Sequence, residues 1–298
     1  MGKNSVFESI IDLPQRDLTE REKALLGFEM RYASIHNQLS LLLNQGQLLE
    51  WSHTYHKEVL PVCKLVAELY PLVIFHGDVG TGKTATAECI ANRIVRESRT
   101  EDSALFKLSN RVRGSGKVGE MGTLLTQAWA EVTEAAGKNR RAILIIDEGD
   151  SIAASRSQSH SHHEDKVAVN TLIQGVDDLR KFGGRVVVIL CTNRLSVLDA
   201  ALRRRAAIVE EFTRPNVAER EALFRMDLAG MGLSDTQYNQ LAAATGERGN
   251  QPAWTYSDIR TRLYPAAISR AFPTRALCFN DLLEPLKSMH PSPVMEDK

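Results

Sequence analysis

The hydrophobic pattern changes character near residue 71. Before it, apolar residues recur at helical spacing: Leu18 to Glu50 is rich in Leu, Glu, Gln and Met, and Val59, Val62, Leu65, Val66 and Leu69 share one helical face. Residues 1–70 therefore read as helical. After it, short and nearly continuous apolar runs alternate with helical stretches, at 72–75 (LVIF), 105–108 (LFKL), 143–146 (ILII), 186–190 (VVVIL) and, more weakly, 207–212 (AIVEEF). Unbroken Val, Ile and Leu runs mark strands buried on both faces, and the intervening helices predict an α/β fold with a parallel sheet. Pro215 closes that region. Beyond it the period is helical over 216–229, 235–244, 256–271 and 279–288, with Gly or Pro in the breaks. The expected organisation is a helical lead-in (1–50), a large α/β domain (51–213) and a small helical domain (214–298), with no internal repeat.

Composition narrows the function classes. The 298 residues are 43% hydrophobic and 25% charged, and no apolar run approaches the roughly 20 residues that span a bilayer. No membrane association is expected. Lys plus Arg and Asp plus Glu each number 37, so no global positive field draws the chain to nucleic acid. The four cysteines, Cys63, Cys89, Cys191 and Cys278, stand far apart without a C-x-x-C pair and suit a reducing compartment; with no signal-peptide pattern at the start, the expected location is the cytoplasm. The polar stretch 155–165 (SRSQSHSHHED) offers His160, His162 and His163, but no acidic or cysteine set at ligand spacing, and reads as a solvated loop.

Candidate chemistry begins where the first α/β run ends. Gly77 to Thr84 (GDVGTGKT) satisfies G-x-x-x-x-G-K-[ST] between a buried strand and a helix. Glycines let consecutive backbone N–H groups turn inward around phosphates, and the helix that follows adds its positive end. Gly77, Asp78, Val79, Gly80, Thr81, Gly82, Lys83, Thr84 and Ala85 are thus the expected ATP-binding segment, with Lys83 reaching the β- and γ-phosphates and the Thr84 hydroxyl on Mg2+. A second apolar run ends in two carboxylates, ILIIDE at 143–148: Asp147 for Mg2+ and Glu148 to polarise the attacking water. The run VVVIL leads into Asn193, expected on a strand between those of the glycine loop and Glu148, where an amide fixes the water. In LDAALRRRA (198–206) the consecutive Arg203, Arg204 and Arg205 read either as a solvated helix end, where cations are favoured, or as functional cations.

These elements, in this order and spacing, resemble the AAA+ ATPases over about residues 45–290. The resemblance implies a P-loop fold with a five-stranded parallel sheet and a helical lid, a ring that is usually a hexamer, and ATP at subunit interfaces. Arg204 and Arg205 would then reach a neighbour's γ-phosphate. It also implies a sensor arginine in the lid near TYSDIRTRL (255–263), at Arg260 with Arg262 in reserve, and an adenine pocket around Trp51 to Val59. Within the family, IIDEGDSIAASR (145–156), AVNTLIQGVDDL (168–179) and ILCTNRLSVLDAALRRRA (189–206) are similar to the pachytene-checkpoint type that acts on HORMA-domain proteins. Bacterial members accompany HORMA proteins and cGAS-like nucleotidyltransferases in anti-phage CBASS operons. The implied function is a homo-hexameric remodeller that partly unfolds a HORMA partner and keeps cyclic-oligonucleotide signalling off.

One segment departs from the family pattern. Where many AAA+ unfoldases carry an aromatic-hydrophobic-Gly pore loop, GSGKVGEMG (114–122) places Lys117, Val118 and Gly119, whose lysine stem would pack between substrate side chains. The basic Arg111, Arg113 and Lys117 keep open an alternative, a nucleic-acid-directed AAA+ ATPase of the helicase-loader or transposition-regulator type. A third reading is an ATP-gated scaffold without turnover.

Overall fold

The computed structural model describes residues 6–98, 103–109, 112, 120–153 and 163–295. Five strands form where the apolar runs lie: β2 (Leu72–Gly77), β3 (Ser103–Leu108), β4 (Arg141–Ile146), β5 (Val186–Thr192) and β6 (Ile208–Phe212). In β2, Leu72 to Phe75 are completely buried, and in β4 and β5 Ile143–Ile146 and Val186–Cys191 are nearly so. A fully buried Val, Leu or Ile contributes about 1.5–3 kcal/mol, so these runs anchor the core.

The lead-in differs from expectation. A strand, β1 (Phe7–Leu13), precedes the helices and pairs antiparallel with β3, from Phe7 opposite Leu108 to Leu13 opposite Ser103. Among the described residues the sheet therefore has six strands, ordered β1-β3-β4-β5-β2-β6, with parallel pairing in β3–β4, β4–β5 and β5–β2. FESIIDL buries both its ends while Glu8, Ile10 and Asp12 point outward or half outward, the alternation of an edge strand. Helices α1 (Arg16–Lys23), α2 (Phe28–Leu43), α3 (Gln45–His56) and α4 (Pro61–Ala67) follow as anticipated. Arg93, on helix α5 (Lys83–Ser98), ties α1 and α2 down through Glu22 and Glu29 at 3.1 and 2.5 Å, with its guanidinium 4.5 Å from the Tyr32 ring centre. Asn44, between α2 and α3, accepts from Arg141 at 2.6 Å.

The chain forms two compact units. The larger comprises Met1–His76 and Thr84–Glu211, and the smaller Gly77–Lys83 and Phe212–Glu296. In the larger unit, α6 (Glu120–Ala136) and α7 (His163–Leu179) pack together against the sheet, and the short α8 (Ala200–Arg203) follows β5. Gly175 of α7 admits the Trp129 ring: a Cβ there would stand 2.1 Å from it. Gly175→Ala should cost about 1–3 kcal/mol by overpacking, seen as a lower urea midpoint.

In the smaller unit, α9 (Val217–Asp227) and α10 (Asp235–Ala244) each start with a capping box, Asn216 with Glu219 and Ser234 with Gln237. A π-helical turn, Asp258–Leu263, runs into α11 (Tyr264–Ile268), and α12 (Phe279–Leu283) closes the unit. These elements fall inside the four helical stretches read from the sequence. Among the described residues no cysteine forms a disulfide; Cys63, Cys89 and Cys191 are buried and Cys278 is exposed. No helix among the described residues is long and apolar enough to cross a membrane.

Candidate functional site

In the smaller unit, Gly77, Gly80 and Gly82 take φ of +132°, +76° and +95°, values that L side chains rarely adopt. Close approach adds a second constraint: a Cβ on Gly77 would lie 2.1 Å from the Phe212 carbonyl oxygen, and one on Gly80 2.6 Å from Thr255 Oγ1. The loop is also braced from within, because Thr81 Oγ1 donates to the Asp78 carbonyl at 2.8 Å and Ser257 N–H donates to the Gly80 carbonyl at 3.1 Å. Lys83 is buried and donates to the Gly77 and Asp78 carbonyls, both at 2.8 Å, which holds its ammonium against the loop. Positive-φ glycines followed directly by a helix N-terminus are a backbone arrangement suited to an anion.

In the larger unit, Thr84 Oγ1 donates to Asp147 Oδ2 at 2.8 Å. The hydroxyl and carboxylate expected to share Mg2+ are therefore brought together by the sheet order. Hard oxygen donors in this small number fit Mg2+, which takes one or two carboxylates and completes its shell with phosphate and water. Among the described residues no group of three or more His, Cys, Asp or Glu side chains is arranged to hold a metal.

Glu148 is exposed at the end of β4 and adopts φ 50°, ψ 45°, the left-handed region. A non-glycine residue there costs on the order of 1–3 kcal/mol, a strain that collects at functional positions. Asp147 Oδ1 accepts the Glu148 N–H at 2.9 Å and Ser151 Oγ donates to the Glu148 carbonyl at 2.6 Å, which pins the turn. Glu148→Gly should raise thermal stability by up to about 1 kcal/mol while removing the carboxylate, a gain read as a higher Tm. Strand β5 lies between β4 and β2, so Asn193 follows a strand flanked by those of Glu148 and the glycine loop. Asp150, not singled out from the sequence, fixes that strand end: its Oδ1 accepts from Thr192 Oγ1 at 3.2 Å and from Asn193 N–H at 3.5 Å.

The arginine candidates separate. Arg205 makes a two-pronged pair with Asp177 (2.5 and 2.9 Å), donates to the Ala201 carbonyl and stacks near Tyr70, and the Asp177 bond raises its pKa further. Arg204 is exposed at the end of α8, with no side-chain hydrogen bond or ion pair among the described residues. Arg260 is engaged within the smaller unit, bidentate to Asp227 at 2.7 Å, and Arg262 donates to Asp258 at 3.0 Å. Asp227, the partner of Arg260, lies 33 positions away and was not legible in TYSDIRTRL, whereas Asp258, the partner of Arg262, stands within it. Trp51 is half exposed on α3 and lines a groove with Ser40, Leu41, Asn44, Gln47 and Leu48, so it is surface rather than core. Lys117, Val118 and Gly119, with Arg111 and Arg113, lie outside the described residues, as does the histidine stretch through residue 162.

Two residues missed by sequence reasoning touch the glycine loop. Arg214, just after β6, pairs with Asp78 at 2.5 Å, and the Met295 N–H donates to the same carboxylate at 3.0 Å.

A family model described as "ATPase family associated with various cellular activities (AAA)" matches residues 73–214. CD-NTase-associated protein 6 from Escherichia coli strain KTE188 is 86% identical over 297 residues, covering 100% of both chains. Among solved structures, a chain of the E. coli MS115-1 HORMA:CdnC:Trip13 complex superposes with a TM-score of 0.89 at 36% identity, over 99% of this chain and 100% of that one. Rhizobiales Trip13 superposes with a TM-score of 0.72 at 31% identity, over 96% and 99%.

Proposed function

Because the chain belongs to the AAA ATPases, we propose that it is an ATP-hydrolysing, ring-forming remodeller that takes apart HORMA-domain complexes containing a CD-NTase, and so restrains CBASS signalling in the cytoplasm. The full-length likeness to CD-NTase-associated protein 6 and to a chain of the HORMA:CdnC:Trip13 complex supports the partner and the setting. The observation that carries the chemistry is the pinned, left-handed Glu148 one residue beyond an Asp147 already bonded to Thr84. Gly77–Lys83 would bind the phosphates through backbone N–H groups. Lys83 would exchange its loop carbonyls for phosphate oxygens, and Ala85 would extend that cradle into α5. Thr84 and Asp147 would hold Mg2+, which supplies charge neutralisation for the phosphates. Glu148 accepts the proton of the attacking water, and Asn193, steadied by Asp150, orients it.

Residues 51–213 are read as the ATPase domain and 214–298 as its lid. A hexamer would bring Arg204 to a neighbour's nucleotide, and residues 117–119 would contact the substrate chain. Arg260, fixed to Asp227, is assigned to lid geometry, with nucleotide sensing passing through that pair. The test is steady-state phosphate release by the purified chain with and without a HORMA protein loaded with its CD-NTase. Stimulation together with ATP-dependent release of the CD-NTase is expected; a rate indifferent to the partner would remove HORMA remodelling from the reading and leave the ATPase.

A further inference from the structure

Asp78 is an unusual passenger in a loop that collects a polyanion. Its side chain is only 11% exposed, and a buried carboxylate left unpaired in the phosphate cradle would oppose the charge it must receive. The fold answers with three donors, two of them from far along the chain. Arg214, also 11% exposed, places Nε 2.5 Å from Asp78 Oδ2, and the Met295 N–H lies 3.0 Å from Oδ1, which also accepts the Val79 N–H at 3.2 Å.

Arg214 is itself fixed at every remaining nitrogen. Nη1 donates to the Ala253 carbonyl at 2.6 Å, and Nη2 donates to the Ser292 and Pro293 carbonyls, both at 2.9 Å. The segment Ser292–Met295 is fixed in turn by Asp258, whose carboxylate accepts Ser292 Oγ at 2.6 Å and Ser292 N–H at 3.1 Å. Burial pushes the Asp258 carboxyl up, but the bonds from Ser292 and Thr255 outweigh it and hold the group below the usual carboxylate range. Asp258 also accepts the Thr255 N–H at 3.1 Å, and Thr255 is the residue whose hydroxyl abuts Gly80. The network therefore leaves the glycine loop at Asp78 and returns to it at Gly80.

We propose that Arg214 and the Met295 N–H are positioning groups for ATP binding: they neutralise and immobilise Asp78, so that the loop's N–H groups stay aimed at the phosphates. This rests on the nucleotide-site reading above. Neither group touches the reacting atoms, so the effect falls on ATP affinity and KM more than on kcat.

The test is equilibrium binding of a fluorescent ATP analogue to the full chain, with ATPase kinetics alongside. Arg214→Gln should weaken binding about tenfold, equivalent to roughly 1.4 kcal/mol. Adding Asp78→Asn should recover most of the loss, because the charge that needed neutralising is gone. Met295→Pro, which deletes the N–H, should weaken binding more than Met295→Ala, which keeps it; this pair decides the matter if Arg214→Gln does not fold. Arg214→Gln binding as wild type would overturn the proposal, as would no recovery with Asp78→Asn or equal effects of the two Met295 variants. A wild-type chain that binds no ATP analogue would instead overturn the nucleotide-site reading itself.

Discussion

Glu148→Gln should stop ATP hydrolysis while ATP still binds. The substitution keeps the shape of the side chain and the left-handed turn, and leaves the Thr84–Asp147 bond in place. On the function proposed above, it removes the proton acceptor for the attacking water, a contribution of about 10²–10⁴ in rate. Phosphate release should fall by at least about a hundredfold. On the same proposal, the variant should also trap the partner-bound complex, since the energy for disassembly is no longer released. Comparison with Glu148→Gly separates chemistry from backbone strain: both variants lose turnover, but only the glycine gains Tm. Hydrolysis that persists in Glu148→Gln would transfer the base role to another residue.

Arg204→Ala should be nearly as damaging, for a different reason. A cation delivered to a neighbour's γ-phosphate is worth about 10³–10⁵ in rate. Arg204 is exposed and uncommitted among the described residues, so its loss should leave Tm where it was while turnover falls by about a thousandfold. Arg205→Ala gives the contrast. It breaks the pair with Asp177, a partly exposed bridge worth roughly 0.2–1 kcal/mol, and should lower Tm as well as any activity it supports. Mixing experiments sharpen the test: Arg204→Ala subunits added to wild type should depress turnover in proportion to their share, because each silences the site of its neighbour. If mixing has no effect, Arg204 does not act across an interface.

Strands β2, β3, β4 and β5 were legible because their apolar runs are almost wholly buried, whereas β6, with Val209 and Glu211 exposed, gave only the weaker run at 207–212. Strand β1 was not: FESIIDL mixes two carboxylates with apolar residues, its partner β3 is far along the chain, and its neighbours are helical. The positive-φ glycine loop and the Thr84–Asp147 bond were legible because the loop's glycines and the paired carboxylates answer to local chemistry. Arg214 and Met295 were not, since their contact with Asp78 spans 136 and 217 positions and one donor is a backbone N–H that any residue but proline supplies. The same holds for Arg205 and Arg260, whose meaning depends on Asp177 and Asp227, carboxylates that look like ordinary helix surface.

Strand β1 also sets a clock. It leaves the ribosome before its partner, since the strand it must join begins about 90 residues later, an interval of roughly 5–20 s at ordinary translation speed. During that interval Ile10 and Ile11 stand in an unpaired segment, and Glu8 and Asp12 beside them keep it from recruiting a like segment of a nascent neighbour. The acidic residues that obscured this strand in the sequence are thus the ones that let it wait.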